Sequence, residues 1–254
     1  MKIALVLSTA FVTTKPDFHD HERRIQHYVN GFRQIAELSA THPAFDVFSV
    51  DNTVEDLSRL EGRLTAALDK IPTLKGKYYF WNNEMGRINK GSGLVAQWDQ
   101  ILPDLVDRYE YTVHYEPRQQ LVNLSFFERM ERQPDTYFCP YRDKVKLYGV
   151  AMTVQQFWTG LFSMRTTDLL GYVRAPDRRV PTTMEQYRKW RLYYALRSRI
   201  LPWWLDSLHI AIETDFPRCV RRHKIPFVSL PALGVRWHEE ATGQWVDMVD
   251  RLFE

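Results

Sequence analysis

Hydrophobic positions along the chain change period several times, and each change predicts an element. Ile3 to Val12 is a continuous apolar run of strand length, as expected of a central strand covered on both faces. From Glu22 to Leu38 the apolar residues Ile25, Tyr28, Val29, Phe32, Ile35 and Leu38 fall at helical spacing, with Asp20 placed to cap the helix. Asp46 to Val50 predicts a second strand ending at Asp51-Asn52. A second helical stripe, Leu57, Leu60, Leu64, Ala67, Leu68 and Ile71, closes at Pro72. Tyr78 to Trp81 predicts a third strand and Asn82 to Gly93 a polar loop. Leu94, Val95, Trp98, Ile101, Leu102 and Leu105 then predict a helix, and Tyr111 to Tyr115 a fourth strand.

This alternation argues for βαβ units and a mostly parallel sheet, in which ligands sit at the carboxyl ends of the strands. The second half is less regular. It predicts a helix near Leu121 to Arg132, irregular chain from Tyr137 to Met152 and an apolar strand in Gly160 to Met164. A capping signal follows at Thr182-Thr183-Met184-Glu185, then a Pro-punctuated stretch from Ile225 to Trp237. No internal repeat or low-complexity linker divides the chain, so one domain over residues 1–254 is expected.

Composition narrows the field. With 254 residues and 44% hydrophobic content the chain buries a full core, which excludes disorder. A net charge of +3 is too small for phosphate neutralisation to drive nucleic-acid binding, so no nucleic-acid partner is expected. Cys139 and Cys219 are far apart and match no metal-binding spacing, as expected of a reducing cytoplasm. The apolar start is too short to span a bilayer, and Thr13 to Asp17 offer no small-residue cleavage pattern.

In the loop after the third strand, backbone N–H groups and Lys90 can face an anion with a helix N-terminus behind them. The loop matches neither the GxxxxGK[ST] nor the GxGxxG phosphate-binding pattern. Asn83, Gly86, Asn89 and Gly91, followed by an amphipathic helix and a strand ending in a charged cluster, resemble the Asn-Gly-Asn-Gly region of GT-A glycosyltransferases. That resemblance implies a GT-A-like, Rossmann-type fold, with residues 1–118 as the nucleotide-binding half and 119–254 as the acceptor-binding half. It also implies transfer of a sugar from a nucleoside diphosphate donor to a hydroxyl, on a bacterial surface glycan or a lipid-linked acceptor.

Where such enzymes carry Asp-x-Asp, this chain reads His114-Tyr115-Glu116-Pro117-Arg118. Two readings stand open. Either His114 and Glu116, with His238, hold a manganese or magnesium ion, or Glu116 binds a hydroxyl while Arg118 neutralises the diphosphate without metal. The resemblance further implies nucleoside contacts at Ser8, Thr9 and Asp51, and diphosphate contacts at Asn83, Gly86, Asn89 and Lys90. It places the acceptor at Trp158 and Gly160, with Glu213 or Asp215 as general base.

The segment from Tyr187 to Trp204 mixes cations with aromatics, as expected of a core helix with a basic face or of peripheral contact with the inner face of a membrane. A nucleotidyltransferase is the enzymatic rival. It needs a Gly-rich, cation-bearing loop after the first strand, where this chain has Ser8-Thr9-Ala10-Phe11-Val12. A carbohydrate- or membrane-binding module is the non-catalytic rival.

Overall fold

A computed structural model describes residues 2–12, 18–55, 61–147, 150–190, 192, 211–239 and 243–249. The first strand, β1 (Ile3–Thr9), shows why its apolar run is unbroken. Ile3, Leu5 and Leu7 face one core and Ala4 and Val6 the other, so every position of the strand is covered. Helix α1 (Phe18–Thr41), β2 (Phe45–Asp51), α2 (Gly62–Leu68) and β3 (Leu74–Tyr79) follow. Next come α3 (Glu84–Ile88), α4 (Lys90–Leu105), β4 (Tyr111–Tyr115), β5 (Gln120–Leu121) and α5 (Ser125–Arg132). The chain continues through β6 (Tyr137–Phe138), β7 (Pro140–Leu147), β8 (Val150–Phe157), β9 (Leu161–Arg165) and α6 (Thr166–Arg174). A helical run at 184–190, here α7, precedes α8 (Ile212–Arg222), β10 (Val228–Ser229), β11 (Ala232–Glu239) and β12 (Gln244–Val249).

Among the described residues the main sheet has seven strands in the order β10-β6-β9-β4-β1-β2-β3. β1 pairs in parallel with β2 and β4, β2 with β3, and β10 with β6, while β9 runs against its neighbours β4 and β6. The expected α/β class with a mostly parallel sheet flanked by helices is therefore what the chain forms. One core packs α1, α2 and α5 on the sheet, and the other packs α4, α6 and α8. A three-stranded sheet, β12-β11-β5, and the hairpin β7-β8 complete the described structure.

Several boundaries differ from the sequence reading. The third strand begins earlier, at Leu74, because it is an edge strand whose alternate residues need no burial. The expected loop at 82–93 is mostly helix. Gly91, Ser92 and Gly93 form the first turn of α4, where the Asn89 side chain caps by accepting from Ser92 N at 3.3 Å. The supposedly irregular stretch from Tyr137 to Met152 is β6 and most of the β7-β8 hairpin. At α7, Thr183 accepts from Gln186 N at 3.2 Å and Gln186 accepts from Thr182 N at 2.9 Å, so the cap falls one residue later than expected and the Gln186 side chain reaches back past it to Thr182. Leu57 and Leu60 of the second stripe, Arg191 and Tyr193 to Trp204 of the basic-aromatic segment and the side chain of Asp20 lie outside the described residues.

Candidate functional site

The parallel strands deliver their carboxyl ends to one rim. At the β1 and β2 ends the polar side chains are tied to one another. Asp51 is fully buried, and its carboxylate accepts from Thr9 Oγ1 at 2.9 Å, Phe11 N at 2.9 Å, Thr53 N at 2.6 Å and Thr53 Oγ1. Burial pushes its carboxyl up, and these hydrogen bonds pull against that shift. Thr9 also donates to Val50 O at 3.0 Å, and Ser8 Oγ lies 3.2 Å from His114 Nδ1. The expectation that Ser8, Thr9 and Asp51 reach a nucleoside with their side chains is corrected: these groups are committed inside the protein and fix the turn after β1.

The β4 end is different in kind. Glu116 is the first residue beyond the strand, held there by its own N–H donating to Gly160 O at 2.9 Å. Its carboxylate accepts from Arg118 Nε at 3.4 Å and Gln119 Nε2 at 3.3 Å. A Cβ on Gly160 would stand 1.9 Å from Gln119 Nε2, so glycine leaves the Gln119 amide room to reach Glu116. Helix α8 brings its first turn to the same place: Ile212 Cβ sits 2.9 Å from where a Cβ on Gly91 would be, so glycine lets α4 and α8 meet at their N-termini.

Glu213, in that first turn, consequently stands near Glu116, Lys90 and Thr159. Its carboxyl is raised, first by burial and further by the charge of Glu116. Its backbone, the Lys90 ammonium and the Thr159 hydroxyl oppose the rise. A half-buried carboxylate with a raised proton affinity beside a second carboxylate and a cation can take a proton from a hydroxyl and share the site with an anion.

The remaining predicted residues fall elsewhere. Asp215, the other candidate base, is buried in an ion pair with Arg218 at 2.8 Å and accepts from Arg179 N at 2.9 Å, Val180 N at 3.3 Å and Tyr172 Oη at 3.4 Å. It ties α8 to the chain after α6, which corrects the catalytic expectation. His114 is fully buried, its ring stacked on Phe162 at 5.1 Å, and Trp98 donates to its Nδ1 at 3.2 Å. Burial lowers its pKa to about 4, so the ring is neutral. His238 packs instead on His27 and Trp245. The metal set His114, Glu116 and His238 is thereby split, and among the described residues no three His, Cys, Asp or Glu side chains converge as ligands.

Asn83 and Gly86 form the corner between α3 and α4: a Cβ on Gly86 meets Asn83 Oδ1 at 2.0 Å and Gly93 Cα at 3.2 Å. With Asn89 spent as a cap, Lys90 is the member of that segment whose charge reaches the site. Trp158 stacks on Tyr141 at 4.2 Å and donates from Nε1 to Val249 O at 3.0 Å, so one indole face is already covered.

No family model matches the chain, and a search of curated proteins finds no match. Among solved structures the chain is similar to 4-diphosphocytidyl-2C-methyl-D-erythritol synthase from Anaerococcus prevotii, at 9% identity and a TM-score of 0.42, over 76% of this chain and 82% of that one. A likeness that slight bears on neither family nor activity. Among the described residues no helix is long and apolar enough to cross a membrane.

Two residues of the site were not singled out from the sequence. Thr159 sits between two residues that were, and Gln119 directly follows Arg118. Nothing in their spacing marks them, because each joins the site only through the β4-β9 corner.

Proposed function

We propose that this chain is a glycosyltransferase that moves a sugar from a nucleoside diphosphate donor to a hydroxyl acceptor, with Glu213 as general base. The observation that supports the reading is the raised carboxyl of Glu213 facing Glu116 and Lys90 at the β4 and α8 ends. In the proposed step Glu213 takes the proton of the acceptor hydroxyl and the oxygen attacks the anomeric carbon. The bond from that carbon to the diphosphate breaks, with inversion. Lys90 and Arg118 offset the charge that gathers on the leaving diphosphate. Glu116, held by Arg118 and Gln119, accepts from a sugar or ribose hydroxyl.

The metal reading is not carried into this step, because its ligand set is divided between a buried aromatic cluster and the rim. Nor does Asp51 take part, since its oxygens already accept four hydrogen bonds.

A thermal-shift panel of uridine, guanosine, cytidine and thymidine diphosphates, each with and without manganese or magnesium, tests the reading. A ligand at 100 times its Kd adds about 2.7 kcal/mol to the native state, so one nucleotide stands out and its shift persists without metal. No shift with any of the four, in protein shown to be folded, overturns it.

A further inference from the structure

A cavity of about 420 Å³ opens away from the rim, where the end of α6 and the chain after it meet α4 and α7. Asp99 lines it from α4, about 14 Å further along that helix than Lys90, so the cavity is separate from the proposed transfer site. Arg174, Arg178, Gln186 and Lys189 line the other walls. The volume is that of a small-molecule site.

Arg178 is the fixed member of this set. It donates from Nε to Val180 O at 3.1 Å, from Nη1 to Val173 O and from Nη2 to Thr182 Oγ1 at 3.1 Å. None of these acceptors is a carboxylate. A guanidinium carries five N–H groups, so two are left over and its charge is offset by no bonded acid. Thr182 extends the order to α7: its hydroxyl accepts from Arg178 and donates to Gln186 Oε1 at 3.1 Å, and its N–H donates to the same oxygen at 2.9 Å. With Oε1 filled, Gln186 keeps its Nε2 as a donor.

Lys189 follows Gln186 by three residues and shares its face of α7. Arg174, exposed in the last turn of α6, adds a second guanidinium. Asp177, in the same stretch of chain, pairs instead with Arg218 at 3.4 Å and Arg222 at 3.2 Å. The cavity therefore gathers donors from the α6 end and α7, and one carboxylate, Asp99, from α4.

We propose that this cavity binds a small phosphorylated sugar or polyol, with its phosphoryl group on Arg178, Arg174, Lys189 and Gln186 Nε2 and a hydroxyl donating to Asp99. A guanidinium fork, an ammonium and an amide N–H₂ suit a group with three terminal oxygens better than a carboxylate with two. Asp99, an acceptor only, recognises the ester's hydroxyl and disfavours a ligand that is all anion. Val180 connects the cavity to the start of α8, since its O accepts from Arg178 and its N–H donates to Asp215 at 3.3 Å. Occupancy thus stabilises a segment that several elements share.

Calorimetry on the full chain, with inorganic phosphate and glycerol 3-phosphate as probes, tests the site. Both should bind and raise Tm, glycerol 3-phosphate more tightly. Arg174→Met and Lys189→Met, both at exposed positions, should each weaken the two probes by about two- to fivefold. In Asp99→Asn the preference for glycerol 3-phosphate over phosphate should vanish.

Glu213→Gln and Lys90→Met should bind both probes as the wild type does. Failure of the transfer reading then leaves this result intact, and phosphate held at the rim is told apart from phosphate held here. The proposal is overturned by no saturable binding of either probe, by equal affinity for the two, by affinity that depends on Lys90 and not on Arg174 and Lys189, or by a preference that survives Asp99→Asn.

Discussion

Two pairs of carboxylates sit at the ends of this fold's elements, and they have opposite surroundings. Asp51 and Asp215 are buried, and donors surround both: hydroxyls and backbone N–H groups on Asp51, a guanidinium and backbone N–H groups on Asp215. Glu116 and Glu213 are half-buried and close enough for the charge of Glu116 to raise Glu213, and each has its own cation, Arg118 on Glu116 and Lys90 near Glu213. A buried acid whose oxygens are filled holds chain segments in place, because moving it would orphan its donors. An acid that burial and a neighbouring charge push toward its neutral form is poised to exchange a proton.

The largest effect should separate the pairs outright. Glu213→Gln keeps shape and burial but removes the base, and turnover should fall by about 10²- to 10⁴-fold with nucleoside diphosphate affinity nearly unchanged. Asp215→Asn should leave turnover per folded molecule close to wild type and lower Tm instead. Steady-state kinetics beside thermal melts of both variants make the contrast; equal activity in Glu213→Gln would sink the assignment of the base.

Next comes Asp51→Ala. It leaves the hydroxyl of Thr53 and the N–H groups of Phe11 and Thr53 without their acceptor, while Thr9 keeps Val50 O, at a cost of about 3–4 kcal/mol in denaturant unfolding. A change below about 1 kcal/mol, with nucleotide binding abolished, would mean that Asp51 is a ligand contact after all.

A similar magnitude is expected from His114 on acidification. Its pKa is about 4 in the fold against 6.5 for an unperturbed histidine, so the unfolded chain binds more protons between those values. Its contribution is therefore present above pH 6.5 and is lost as pH falls through about 4, amounting to about 3 kcal/mol. Urea titrations across that window should slope less in His114→Gln than in wild type.

How legible all this was depends on the range of the forces involved. β1, β2, β4 and α4 could be read from the chain because burial on a sheet face or helix stripe imposes a period. β3 was misplaced because an edge strand exposes alternate residues, and the helical turn at Lys90 was hidden by two glycines, Gly91 packed against Ile212 of α8 and Gly93 against the Asn83-Gly86 corner. Glu213 and Asp215 are two residues apart and equivalent in sequence. Only packing distinguishes them: one helix position faces Arg179 and Val180, the other the end of β4. Asp51 shows the converse, since a polar residue after a parallel strand was read as a ligand contact when its partners are Thr9, Phe11 and Thr53.

The smallest effect is also the most specific to the facing pair. If Glu213 is the base, the acid limb of kcat/KM reports its deprotonation, and that limb lies above the ordinary carboxylate range because burial and Glu116 raise it. Glu116→Gln removes a like charge, so the limb should move to lower pH. Lys90→Met removes an opposing charge, so it should move to higher pH. Both variants also weaken turnover, but the directions of the two shifts are fixed by sign alone and do not depend on how much activity remains. Limbs that move together, or not at all, would show that the group titrating in the rate profile is not the carboxylate these two residues flank.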